Sequence, residues 1–142
     1  MAEAHTIQVD IVSAEGEIFS GPAKMVFAPA SQGEIGIAPR HAPLLSLLKA
    51  GEVRVQPPDG EEQVFFVGGG AIEIQPHKVT VLADTALRAK DIDEAAALAA
   101  KQRAEEALKD KSGRITQAEA LAELARAAAQ LKVLQRLRKL RG

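Results

Sequence analysis

The sequence predicts an antiparallel β-sandwich or barrel followed by an antiparallel α-helical hairpin, with residues 1–87 in the first part and 88–142 in the second. Three observations carry this. Apolar residues recur in twos as far as Ala83. Gly- and Pro-rich punctuation breaks that stretch at intervals of about ten residues. Beyond Asp91 the apolar spacing changes to threes and fours.

Ile7, Val9 and Ile11 alternate with Gln8, Asp10 and Val12, the pattern of a half-buried strand. Further strand-like runs cover 25–28, 52–56, 63–67, 71–74 and 79–82. Between the runs stand Gly21-Pro22, Gly33, Gly51, Pro57-Pro58-Asp59-Gly60, Gly68-Gly69-Gly70 and Pro76, read as turns or bulges. Short strands spaced in this way, with no helical period among them, point away from a βαβ arrangement.

In the second part Asp91 caps a helix that begins at Ile92, with Glu94 in capping-box register. Ala95, Ala96, Ala99, Ala100, Ala104 and Ala107 follow, with Leu98 and Leu108. Ser112-Gly113 marks a turn, and Thr116-Gln117-Ala118-Glu119 is a second capping box. The second helix sets Leu121, Leu124, Ala128, Leu131 and Leu134 in steps of three or four. Two helices joined by a short turn make an antiparallel hairpin. Between 92 and 108, three large apolar residues stand against seven alanines. Alanine favours helix but buries little area, so the first helix forms readily and docks weakly. At about 1.5 Å per residue the helices span roughly 25 and 37 Å, and opened end to end they carry the tail about 60 Å from its root.

The 142 residues suffice for one domain, or for a small domain with an appendage. There is no cysteine, hence no disulfide and no Cys-based zinc site, which fits a reducing cytoplasm. No apolar run approaches the roughly 20 residues of a membrane-spanning helix. Residues 1–10 lack the basic start and apolar stretch of a secretory signal. With four Phe and neither Tyr nor Trp, platforms for stacking nucleic-acid bases are scarce. Charge is uneven: residues 1–87 hold 5 Lys/Arg against 11 Asp/Glu, and residues 111–142 hold 8 against 2. A basic tail of this kind suits an acidic partner surface.

Catalytic patterns are missing. His5, His41 and His77 are scattered, with neither HxH nor HExxH spacing. No serine sits in a G-x-S-x-G elbow. Gly68-Gly69-Gly70 is not followed by Lys-Ser/Thr and opens no helix, so it is a bulge or turn rather than a phosphate loop. An enzyme reading finds no residues to use. A free-standing adaptor or sensor built on the same two parts is the alternative from another class.

Three stretches resemble a known family. Gly33-Glu34-Ile35-Gly36-Ile37-Ala38-Pro39-Arg40-His41-Ala42-Pro43-Leu44-Leu45 is similar to the loop-and-strand signature of the epsilon subunits of bacterial F-type ATP synthases. Val79-Thr80-Val81-Leu82-Ala83-Asp84-Thr85-Ala86, leading into Asp91-Ile92-Asp93-Glu94-Ala95, resembles that family's last strand and the start of its helical hairpin. Val9-Asp10-Ile11-Val12-Ser13-Ala14-Glu15 resembles its opening strand. The three lie in order along nearly the whole chain.

The resemblance implies a ten-stranded β-sandwich with a C-terminal hairpin, and a non-catalytic place at the foot of a rotating central stalk. There it would lie against the gamma subunit and the membrane ring of c subunits, peripheral on the cytoplasmic face of the cell membrane. The resemblance assigns ring and gamma contact to Glu34, His41, Ala42 and Pro43. The residues alone read Gly33-Glu34 as a solvated exposed turn and His41 as a structural histidine. The resemblance also makes Arg126, Lys132, Arg136, Arg138, Lys139 and Arg141 an inhibitory basic face, which lodges against acidic segments of the alpha and beta catalytic subunits. The residues alone read a basic helix end that suits the helix dipole. Some members bind ATP in the folded hairpin through Ile/Leu-Asp-x-x-Arg-Ala. Here Ile92-Asp93-Glu94-Ala95-Ala96-Ala97 puts Ala96 at the arginine position; Asp93, Arg103 and Arg126 match that site, while Gln130 does not. Each charge-assisted bond lost costs about 1.5–3 kcal/mol, so weak or no ATP binding is expected. No cofactor, metal, nucleic acid or inserted membrane segment is expected.

Overall fold

The computed structural model describes residues 5–110 and 116–141, apart from the side chains of Leu140 and Arg141. Two compact units divide between Arg88 and Ala89.

The first unit is one eight-stranded sheet: β1 (Ile7–Ser13), β2 (Gly16–Ala23), β3 (Met25–Ala30), β4 (Gly33–Ile37), β5 (Leu44–Gln56), β6 (Gln63–Gln75), β7 (Lys78–Ala83) and β8 (Ala86–Arg88). The order is β2-β1-β7-β6-β5-β3-β4, with β8 also on β6. Eight strands stand among the described residues where ten were expected, and the lengths of β5 and β6, 13 residues each, account for this. The two pair continuously from Leu44↔Ile74 to Val55↔Gln63. Gly68-Gly69-Gly70 therefore lies inside one strand and does not separate two. Gly69 and Gly70 take φ of 108° and 131°, and a Cβ on Gly70 would stand 2.1 Å from the Leu82 carbonyl oxygen. Only glycine lets the strand bend there and stay paired. Across the bend β6 changes partner from β7 (Gly70↔Ala83) to β8 (Val67↔Ala86). Gly51 is likewise internal to β5. Gly21-Pro22 is internal to β2, an edge strand, where proline is tolerated.

One pairing is parallel, against the all-antiparallel expectation: β1 on β7, from Gln8↔Lys78 to Val12↔Leu82. The Pro76-His77 turn sets β7 antiparallel to β6. β1 then enters beside β7 running the same way, with the Gln8 N–H donating to the His77 carbonyl at 3.0 Å. The β1 alternation holds, since Ile7, Val9 and Ile11 are fully buried. They meet β-branched residues of β3, β5, β6 and β7 in one core around Phe65. Phe19 closes that core edge-on to Phe65, at 5.5 Å between centroids and 62°. Each such buried side chain stabilises by about 1.5–3 kcal/mol.

The second unit opens with a 3-10 turn, Ala89–Asp91, followed by α1 (Glu94–Lys109) and α2 (Gln117–Arg141). The first helix starts two residues later than its capping pattern predicts. Asp93, not Asp91, is the cap: it is extended (φ −87°, ψ 106°) and its carboxylate accepts from the Ala96 N–H at 3.2 Å. Ile92 is buried and its N–H turns back to the Ala89 carbonyl at 3.3 Å, so it cannot open the helix. The second cap falls where expected, with the Thr116 hydroxyl accepting from the Glu119 N–H at 3.1 Å. Ser112-Gly113 lies outside the described residues.

The helices meet through small residues. α1 buries Ala97 and Ala104, and α2 buries Ala120, Ala127, Val133 and Leu134. Seven-residue steps put Ala97 and Ala104 on one line, and Ala120, Ala127 and Leu134 on another. The stripe expected through Leu121 and Ala128 is thus rotated by one residue, and Leu98 and Leu121 are exposed. Along most of the contact the side chains are small, which lets two helix axes approach closely, with Val133 and Leu134 filling it towards the end of α2.

Candidate partner-contact surfaces

Glu34 belongs to β4, next to the Gly33 that closes the two-residue Ser31-Gln32 connection from β3 (Ala30↔Gly33). It is therefore a strand residue, not part of a free turn, and the φ of 131° at Gly33 makes that tight return possible. Its side chain is 52% exposed, and its carboxylate accepts from the Arg54 guanidinium at 3.1 Å. Arg54, on β5, is only 13% exposed. Its Nε lies 3.3 Å from Glu52 and its Nη1 3.8 Å from Glu62. The guanidinium centre sits 4.2 Å over the Phe27 ring. Phe27 pairs with Arg54 on one side and Gly36 on the other. A Cβ on Gly36 would stand 3.3 Å from the ring, so the bare glycine leaves it room. Sequence reasoning missed Arg54; its signal was a lone arginine inside an acidic stretch, Glu52 to Glu62, that runs from the end of β5 through the connection to β6.

His41 lies in the loop between β4 and β5. Arg40 takes a left-handed φ of 71°. Its N–H donates to the Pro76 carbonyl at 2.7 Å, and the His41 N–H donates to Ala38 at 3.1 Å. The loop is thus tied to the β6–β7 turn. The His41 Nδ1 is 2.7 Å from the Ala42 carbonyl oxygen and donates to it in the Nδ1–H tautomer. Ala42 and Pro43 are exposed.

Next to them the first part of β5 carries bare apolar side chains. Leu45 and Leu47 are 74% and 69% exposed, and Leu82 on β7 is 53% exposed. Strand register aligns Leu47, Ala71, Leu82 and Val12 in one row. Leu45, Glu73, Thr80, Asp10 and Ser20 form the neighbouring row. In that second row Asp10 accepts from the Gln8 amide at 3.0 Å and the Ser20 hydroxyl at 2.8 Å, with Lys78 at 3.2 Å. These partners, Gln8 first, hold its carboxyl below the usual carboxylate range. An apolar row beside a satisfied polar one has the make-up of a docking face. Sequence reasoning missed this surface because its strand-like runs pass from 25–28 to 52–56 and leave 44–48 without an assigned face. The signal was leucine at both parities of one strand, which a sheet with one buried face cannot hide.

On α2, Lys132, Arg136 and Lys139 follow at i, i+4 and i+7 and share a stripe, whereas Arg126 and Arg138 lie off it. Lys132, Lys139 and Arg126 are exposed and Arg136 is half-buried. Arg138 stands four residues beyond Leu134 on the seam side and donates to Glu94 at 2.6 Å. That bond lowers the Glu94 carboxyl pKa and raises that of Arg138. The Arg141 side chain lies outside the described residues. Of the residues matched to a nucleotide site, Asp93 caps α1, Arg103 faces Glu123 at 3.8 Å, and Ala96 is exposed.

Residues 6–89 match the family profile of the ATP synthase delta/epsilon chain β-sandwich domain, and residues 90–135 that of its long α-helix domain. The chain is 66% identical over 139 residues to the ATP synthase epsilon chain of Nitrosococcus oceani, covering 98% of this chain and 99% of that one. It is 63% identical over 134 residues to that of Alkalilimnicola ehrlichii, covering 94% and 96%. Its fold is similar to that of a chain in the cryo-EM structure of Euglena gracilis mitochondrial ATP synthase, OSCP/F1/c-ring, with TM-score 0.68, 17% identity, and 96% and 82% coverage. A chain in the Tetrahymena thermophila mitochondrial ATP synthase central stalk/c-ring structure gives TM-score 0.60, 11% identity, and 90% and 96% coverage. With both domains matched in order and relatives this close over their full lengths, the chain belongs to the ATP synthase delta/epsilon chain family.

Proposed function

We propose that the chain is a non-catalytic central-stalk subunit of a bacterial F-type ATP synthase, on the cytoplasmic face of the cell membrane. In this reading it couples ring rotation to ATP synthesis and restrains ATP hydrolysis. The observation that carries this is the full-length likeness to bacterial epsilon chains in both domains. The apolar row of Leu47, Ala71, Leu82 and Val12, with Leu45 beside it, fits the gamma subunit. Covering an exposed leucine stabilises a complex by about 1.5–3 kcal/mol. Glu34, with His41, Ala42 and Pro43, fits the polar loops of the c ring, where a carboxylate meets basic side chains.

The hairpin is the brake. Opened, it presents Arg126, Lys132, Arg136, Arg138, Lys139 and Arg141 to acidic segments of the alpha and beta subunits, steered by opposite charge. Opening must part the alanine seam and free Arg138 from Glu94. ATP is at most a weak ligand of the closed hairpin, because Ala96 offers no phosphate partner while Asp93 and Arg103 are engaged elsewhere.

Reconstitution of synthase stripped of this subunit tests both halves. The full chain restores ATP-driven proton pumping. A chain ending at Asp110 also restores it but leaves hydrolysis several-fold faster. Normal pumping by the stripped complex would overturn the stalk role. Equal hydrolysis with and without residues 111–142 would remove the brake alone.

A further inference from the structure

Arg54 is one cation among three carboxylates. Glu34, Glu52 and Glu62 lie 3.1, 3.3 and 3.8 Å from its nitrogens, and the Phe27 ring lies 4.2 Å from its centre. Glu52 and Glu62 are mostly covered, whereas Glu34 is half exposed. Two things follow. The guanidinium is mostly covered and stacked on the ring, with two inner carboxylates at ion-pair distance, and its hydrogen bond among these groups goes to Glu34, so the nitrogen facing Glu34 has little freedom to turn away. A glutamate side chain otherwise gives up much rotamer freedom when a partner orders it. Second, the Glu34 side chain stays 52% exposed while one of its oxygens faces Arg54, so part of the carboxylate remains open to a partner.

We propose that Arg54 is a positioning residue. It pre-orders Glu34 on β4 and leaves the exposed half of that carboxylate to a lysine- or arginine-bearing partner loop. This rests on the reading of Glu34 as the ring contact.

The test measures the concentration of full-length chain needed to restore half of the proton pumping in synthase stripped of this subunit. Glu34→Gln raises it about tenfold, the loss of one charge-assisted contact. Arg54→Gln raises it about three- to fivefold, with Arg54→Lys in between, since lysine keeps the charge but not the fork. The double variant Arg54→Gln/Glu34→Gln is no worse than Glu34→Gln alone. A merely structural arginine would instead multiply the two losses. If Arg54→Gln does not fold, judged by thermal unfolding, the same cycle is run with Arg54→Lys. An absent or multiplicative arginine effect overturns the positioning role and leaves the Glu34 contact standing. Wild-type behaviour of Glu34→Gln removes the contact and the inference with it.

Discussion

The two units hold themselves together by different means. The sandwich buries Phe65 and a set of Ile and Val side chains at 0–1% exposure, and transfer of that apolar surface from water is the stabilising term. The hairpin buries mainly alanines along its seam, with Val133 and Leu134 towards the end of α2. An alanine contributes one methyl, worth about 0.8 kcal/mol on the same scale. What the hairpin has besides is propensity and contacts between its helices: Arg138 to Glu94, Gln117 to the Leu108 carbonyl at 3.2 Å, and Arg103 towards Glu123. Helices that persist on their own terms but associate through small surfaces can separate without melting. A sandwich whose strands share one core cannot separate in this way. That contrast suits a fixed anchor and a movable arm.

The largest effect tests the anchor. Phe65→Ala removes a fully buried ring from the sandwich and its edge contact with Phe19, and is expected to cost about 3–5 kcal/mol. Urea unfolding of the full chain, followed by a probe in the sandwich, measures it. A loss below about 1 kcal/mol would mean that the sandwich does not depend on this core, and the comparison would fail at its stronger end.

How much of this contrast was legible in the sequence depends on the kind of signal. The period-two run of Ile7, Val9 and Ile11 identified a core-facing strand, because alternation reports directly on which face is buried. The Thr116 cap was legible because its partner is three residues away. Asp91 against Asp93 was not, since both are good caps and the choice falls to the burial of Ile92. The glycines of β6 misled for a similar reason. A glycine run signals a change of direction, but whether the chain turns back or bends on depends on the strands beside it, here β7 and β8. Glu34 and His41 were singled out only through the family resemblance. Arg54 and the apolar row become visible when register brings together residues far apart in sequence.

A smaller effect probes the seam. Ala104 is fully buried between α1 and α2. Ala104→Leu overfills that contact at an expected cost of about 1–3 kcal/mol to helix association, while leucine remains a good helix former. Far-ultraviolet circular dichroism should stay near wild type while paired fluorescent labels on α1 and α2 move apart. Unchanged label separation would show that the seam has room, and would weaken the case for close packing through alanine.

The smallest effect isolates the contact between the two ends of the hairpin. The Arg138 hydrogen bond lowers the Glu94 carboxyl below its ordinary value, about 4.3 for an unperturbed glutamate. A carboxyl depressed in the folded state adds stability above its ordinary pKa, and that share is lost as pH falls through the folded value. Arg138 is shifted the other way, upwards, so its share is lost only in strong alkali. The operative window is therefore acidic. Both side chains are exposed, and salt screens them. The same labels should report slight opening as pH drops below the ordinary glutamate range, with less change in high salt. Glu94→Gln should open slightly at neutral pH and lose that acid step. The Asp10 carboxyl is also lowered, by Gln8, Ser20 and Lys78, but it lies in the sandwich. The readout must therefore be separation of the helices rather than global unfolding. An acid step that survives in Glu94→Gln would assign it to some group other than this pair.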